Sequence, residues 1–206
     1  MFAYPKLITL SASRSHTATK HLTGKLQSAI SHRLFYSWLN YVFNRVDENR
    51  IKDVGPDRVA AEWVLRCGGS VKFANKKWLS DYNSLSDGPR ASFMLEHIDL
   101  NETTITDEGL RHVTFLKYLK SINLCTCHNV TDIGMHHISS LQESLIKLNL
   151  NGCSSVTNAG LLSLRELKLL EELDIRNMMS VKDEELVIAE LKANLSVCEI
   201  LSGDVS

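Results

Sequence analysis

The densest concentration of reactive side chains is Cys125-Thr-Cys127-His128, followed within ten residues by His136 and His137. Thiols and imidazoles together suggest either thiolate chemistry or a zinc site. The spacing matches no standard zinc pattern. Two cysteines separated by one residue on an extended strand lie near the upper limit for a disulfide. A reactive thiol at Cys125 and an inert surface cysteine both remain open, while Cys127 and Cys153 fit buried apolar packing. No glycine-rich phosphate loop, Gly-x-Ser-x-Gly or His-Glu-x-x-His occurs in the chain. A catalytic reading therefore has little to stand on, and no organic cofactor is expected. Asn101-Glu-Thr, Asn129-Val-Thr and Asn194-Leu-Ser form glycosylation sequons that matter only in a secreted protein.

The elements that position these residues come from a repeat. Ile98-Asp-Leu100, Ile122-Asn-Leu124, Leu148-Asn-Leu150 and Leu173-Asp-Ile175 follow one another at steps of 24, 26 and 25 residues. Each reads as a short strand with its two apolar residues inward. Three residues later come Thr103, Cys127, Cys153 and Met178. Then follow Ile105-Thr-Asp-Glu-Gly109, Val130-Thr-Asp-Ile-Gly134, Val156-Thr-Asn-Ala-Gly160 and the divergent Val181-Lys-Asp-Glu-Glu185. Each Thr-Asp or Thr-Asn turn can cap a following helix. This grammar predicts an α/β fold: a short leucine-rich-repeat solenoid of about four repeats over residues 91–191, in the cysteine-containing subtype. Residues 192–206 would form a C-terminal cap or tail.

Residues 35–90 read as a helical N-terminal cap. Phe35, Leu39, Val42, Phe43 and Val46 fall at helical spacing, with Trp38 and Tyr41 beside them. This aromatic helix would pack on the next domain or serve as a contact for a partner or membrane surface. Pro56 and Asp57 open a second helix, and Gly68-Gly69 stop it. Residues 1–46 contain no Asp or Glu, and residues 1–34 carry five basic and nine Ser or Thr residues. That is the composition of a mitochondrial transit peptide, with processing expected after Leu34.

The whole chain has 206 residues with 23 Lys+Arg against 24 Asp+Glu, and residues 35–206 have 18 against 24. This balance argues against nucleic-acid binding. The five cysteines show no framework spacing, and no apolar run reaches the length of a membrane span. The strand positions that point away from the inward pairs are the candidate protein-binding surface: Asp99, Asn123, Cys125, Asn149, Asn151, Asp174 and Arg176. Reversing the charge of Arg176 is expected to weaken partner binding without lowering stability.

The segment Phe35-Tyr-Ser-Trp-Leu-Asn-Tyr-Val-Phe-Asn-Arg-Val-Asp47, with Arg50-Ile-Lys-Asp-Val-Gly-Pro-Asp-Arg58 and Glu62-Trp-Val-Leu-Arg-Cys-Gly68, resembles the mitochondrial coupling factor B family. The likeness continues through Trp78, Asp81-Tyr-Asn83, Gly88-Pro89 and the repeats. It implies a non-catalytic protein, peripheral on the matrix side of the inner membrane, associated with the ATP synthase membrane sector and needed to couple proton conduction by blocking a leak. It also implies thiol sensitivity at Cys125 and Cys127, and Mg2+ bound by the backbone carbonyls of Gly68 and Asn101. A related paralogue points instead to assembly intermediates of the complex I membrane arm. Outside this class stand an F-box-like adaptor for ubiquitin ligation and a redox-active thiol enzyme. A homo-oligomer is also compatible with the sequence.

Overall fold

In the computed structural model, residues 42–86 and 93–203 are described, together with Trp38. The expected transit peptide lies outside them, as does most of the aromatic helix. Of that helix, Val42 to Asn44 are helical and the chain leaves helix over Arg45–Asp47.

Asp47 starts helix α1 (Glu48–Val54) by accepting the Arg50 N–H at 3.0 Å. Gly55, at φ 92°, turns the chain into α2 (Pro56–Arg66), which opens on Pro56 as expected. Burial of Val59 through Leu65 makes α2 a core helix rather than a surface one. Gly68 adopts φ +85° and ends it. At Gly69 a Cβ would lie 2.5 Å from the Asp99 carbonyl oxygen, so only glycine lets the chain pass there.

The next four residues form strand β1 (Ser70–Phe73), antiparallel to β2 (Leu95–Asp99). This strand lies within residues 35–90, expected as a mostly helical cap. Within residues 192–206, expected as a cap or tail, lie the end of α6 (Glu184–Asn194) and β6 (Glu199–Leu201). Between these ends lie α3 (Asp107–Leu110), β3 (Ser121–Asn123), α4 (Asp132–Ile138), β4 (Lys147–Asn149), α5 (Asn158–Ser163) and β5 (Glu172–Asp174). The six strands form one sheet in sequence order, and β2 to β6 run parallel. Each parallel connection carries helix, as such connections require.

The inward pairs Ile98/Leu100, Ile122/Leu124, Leu148/Leu150 and Leu173/Ile175 stack into one core, none more than 1% exposed. Each buried Leu or Ile side chain contributes about 1.5–3 kcal/mol. Just after each strand from β2 to β5 one residue takes a left-handed backbone, Glu102, Thr126, Gly152 and Asn177 in turn, and Asp183 takes it again before α6. Thr126 pays most for it, because a β-branched residue fits that region poorly.

Side chains link each turn to the next. The Asp107 carboxylate accepts from Thr131 N–H at 2.8 Å, Thr131 Oγ1 at 2.7 Å and Gly134 N–H at 2.9 Å. Asp132 accepts from Thr157 N–H and Oγ1, both at 2.7 Å. Asn158 exchanges two bonds with the Lys182 backbone. Asn44 heads the series, accepting from Thr106 N–H at 3.2 Å. Thr131 and Thr157 cap their helices as expected, while Thr106 makes no side-chain cap. No described helix is long and apolar enough to cross a membrane.

Candidate functional site

The sheet buries one face under the helices and turns the other to solvent. Alternation places Asp99, Asn123, Asn149 and Asp174 on the open face at the strand ends, as expected. Their side chains are nevertheless occupied. Asp99 accepts from Asn101 N–H at 3.0 Å, Asn123 from Cys125 N–H at 3.1 Å, Asn149 from Asn151 N–H at 2.9 Å and Asp174 from Arg176 N–H at 3.1 Å. Each is an Asx turn that starts the loop after its strand. Asp99 also receives Asn123 Nδ2, and Asn151 receives Asn177 Nδ2, both at 2.9 Å.

Arg176 departs from its expected role as a purely surface charge. Its guanidinium grips Asp174 through two bonds of 2.9 and 2.6 Å, and Asp174 is only 5% exposed. Burial alone would raise the Asp174 pKa, but the Arg176 bonds outweigh it and hold the carboxyl below its ordinary range. Reversing the charge at Arg176 would strand a buried carboxylate, so stability would fall with any binding. The expectation that Arg176 separates the two is therefore corrected.

A second outward row escaped the sequence reading. His97, Ser121, Lys147, Glu172 and Glu199 align across β2 to β6, and Lys72 of β1 pairs with His97. The signal was present, since each residue lies one position before the inward apolar pair. Lys147 and Glu172 form an ion pair within this row. Trp78, 52% exposed, sits with its ring centroid 6.0 Å from that of His97. Burial, then the Lys72 charge, pushes the His97 pKa down. The open face thus offers an aromatic and basic end near β1 and an acidic end near β6.

All five cysteines are free thiols. Cys127 Sγ donates to the Leu100 carbonyl at 3.1 Å and Cys153 Sγ to the Leu124 carbonyl at 3.0 Å. Burial pushes Cys127 up and Cys153 up to about 12. Cys125 is half-buried, and burial followed by the Asp174, Glu102 and Asp99 carboxylates raises its pKa too. An activated nucleophile needs the opposite environment. Among the described residues no group of three or more His, Cys, Asp or Glu is placed to hold a metal, and His128 turns to Ser154 Oγ at 3.2 Å.

The β1–β2 register pairs Ser70 with Asp99 and Val71 with Ile98. Gly68 precedes β1 and Asn101 follows β2, so the two residues implied to bind Mg2+ both lie just outside this strand pair. The donor set is two neutral carbonyls, while the nearby Asp99 carboxylate already serves Asn101 and Asn123. Such a pair suits an ion that keeps most of its waters.

Over 184 residues the chain is 39% identical to ATP synthase subunit s, mitochondrial, of Rattus norvegicus, covering 83% of this chain and 92% of that one. Over 180 residues it is 36% identical to the protein of the same name from Bos taurus, covering 85% and 90%. The chain belongs to the mitochondrial ATP synthase subunit s family. An F-box protein of Arabidopsis thaliana is 33% identical over 95 residues, which cover 43% of this chain and 25% of that protein. Membership in the subunit s family rests on nearly the whole length of its members, and the F-box likeness on a quarter of its counterpart. No protein-family model matches the chain.

Proposed function

We propose that the protein is a non-catalytic accessory subunit of the mitochondrial ATP synthase, peripheral on the matrix side of the inner membrane. In this reading it supports coupling by docking on the membrane sector and closing a proton leak. The observation that carries the reading is the match to subunit s proteins over nine-tenths of their length. The stacked strand–turn–helix units are read as leucine-rich repeats, whose open sheet face receives a protein partner. The aromatic and basic end at Trp78, His97 and Lys72 is the first choice for that contact, because exposed aromatic side chains anchor interfaces more often than side chains engaged in turns. The half-buried Cys125 borders the same face, so a bulky adduct there would obstruct docking without any thiol catalysis. Mg2+, held with its waters by the Gly68 and Asn101 carbonyls, would brace the junction between α2 and the sheet.

The test is purification of a C-terminally tagged full chain from mitochondria in mild detergent, followed by identification of the co-purifying subunits. Enrichment of ATP synthase membrane-sector subunits supports the proposal. Enrichment of complex I membrane-arm intermediates instead would move the function to assembly of that complex. Recovery only from the cytosol, uncleaved, would overturn both.

A further inference from the structure

A polar cleft of about 850 Å3 opens between α1, α2 and the 3-10 turn after α3, away from the open sheet face. Its size is that of a small-molecule site. Four guanidinium groups line it, those of Arg45, Arg50, Arg66 and Arg111. Arg50 is committed to Glu62, which also takes Arg58, so that buried carboxylate is met by two cations. Arg111 pairs with Glu108 but remains 43% exposed at its side chain. Arg45 and Arg66 have no carboxylate partner among the described residues, and Arg66 bonds only the Glu62 carbonyl through Nε.

His112 also lines the cleft and is 2% exposed. Its ring stacks on Trp63 at 5.1 Å, yet neither ring nitrogen has a hydrogen-bond partner of proper geometry. A buried imidazole without partners is costly and needs an explanation. The Arg45 backbone favours the protonated ring and offsets part of the effect of burial on its pKa. The charges acting on the ring are otherwise those of Arg66 and Arg111, both cationic. Four carboxylates, those of Asp47, Glu48, Glu62 and Glu108, line the cleft with the four guanidinium groups, so its formal charge balances, and the cationic surplus is local to Arg45 and Arg66, which pair with no carboxylate among the described residues.

We propose that this cleft binds a phosphate-bearing anion, held by the guanidinium groups of Arg45, Arg66 and Arg111 beside the buried ring of His112. Planar guanidinium forks match phosphate oxygens two at a time. A phosphate has enough acceptors to engage several forks at once, and an imidazole N–H can donate to it as well. The phosphate belongs either to a soluble ester or to a phospholipid headgroup.

Calorimetric titration of the full chain with inorganic phosphate, and co-sedimentation with phosphatidylcholine vesicles made with and without phosphatidic acid, tests both sources. Phosphate binding that also suppresses sedimentation identifies a soluble ligand or a shared site. Sedimentation that requires phosphatidic acid, with little affinity for free phosphate, identifies a lipid headgroup. In either case Arg66→Gln and Arg45→Gln, both at exposed positions, should each weaken binding about tenfold, the value of one charge-assisted hydrogen bond. Their urea midpoints should match the parent, which separates loss of a ligand from loss of fold. Absence of binding by both probes at millimolar concentration, or binding that both variants leave intact, overturns the proposal.

Discussion

The carboxylate of Asp107 fills the space where a side chain on Gly134 would begin. A Cβ at Gly134 would lie 2.6 Å from Asp107 Oδ1, while the Gly134 N–H donates to the same oxygen. The pair spans two successive units, and a Cβ at Gly160 would likewise run into the Asp132 carboxylate. Removing Asp107 as Asp107→Ala should cost about 2–4 kcal/mol, because buried N–H groups lose their acceptor. Gly134→Ala should also destabilise. The double variant should cost less than the sum, because part of the obstruction leaves with the carboxylate while Leu110 and Val130 still crowd the new Cβ. Urea unfolding of the four proteins measures this, and strict additivity would show that the contact is incidental.

Acid should act on the cap before it acts on the carboxylates. Burial, with help from Arg66 and Arg111, depresses the His112 pKa to about 4, against about 6.5 in an unfolded chain. Between those values the unfolded chain binds more protons, so stability is complete above about pH 6.5 and declines toward pH 4, by about 3 kcal/mol in all. Glu62 adds a lower limb. Burial opposes its ionisation, but the Arg50 and Arg58 bonds prevail and hold its pKa down, so its contribution is lost only as pH falls below about 4.3. In phosphate-free buffer, His112→Phe should flatten the urea midpoint between pH 5 and 7.5. A slope unchanged by that substitution would assign the upper limb to another group.

Thiol reagents should be slow. Cys153 and Cys127 are buried with raised pKa values, and Cys125 is raised by burial and its carboxylate neighbours. Iodoacetamide at neutral pH is expected to modify Cys125 first, more slowly than it modifies free cysteine, and to leave Cys127 and Cys153 untouched until the protein unfolds. Peptide mass mapping over time reads this order. Rapid reaction at Cys125 would revive a redox role.

Mg2+ at the Gly68–Asn101 junction predicts a divalent-dependent rise in the unfolding midpoint that Asn101→Ala leaves in place, because the ligand would be a backbone carbonyl. Gly68→Ala should lower stability by about 1 kcal/mol without metal, since its φ of +85° disfavours a side chain. A midpoint indifferent to millimolar Mg2+ would remove the ion from the fold.

For docking, Trp78→Ala is the informative substitution. Trp78 is 52% exposed, so its removal should weaken partner capture several-fold while shifting stability by less than about 1 kcal/mol. Equal loss of capture and stability would mark it as packing against His97.

The inward pairs were legible because a strand repeats every two residues and Ile98/Leu100 and its successors carry no ambiguity. The Thr-Asp turns were legible as helix caps, yet the larger role of Asp107 was not. Its partner lies 24 residues away, and only the recurrence of glycine after each Thr-Asp hinted at it. Asp99, Asn123, Asn149 and Asp174 end their strands, whereas Cys125, Asn151 and Arg176 lie in the turns beyond, and the Asx turns that join them depend on side-chain rotation that spacing does not encode. Ser70-Val-Lys-Phe73 alternates as a strand should, but an alternation of four residues is too short to stand out beside the helical spacing that precedes it. His112 left no trace at all, since its burial comes from Trp63 in a distant helix.

The ladder from Asn44 through Asp107 and Asp132 to Asn158 has a direction, because each unit is completed by a residue that precedes it. A chain leaving the ribosome therefore meets its acceptors in order: when Thr131 emerges, Asp107 is already outside. The same order holds for any chain drawn N-terminus first through a narrow channel. For these side-chain acceptors folding can advance as a wave behind the exit, while the backbone N–H groups of Leu100, Leu124 and Leu150 wait for carbonyls of the next unit, so a chain stalled midway would expose one open strand edge.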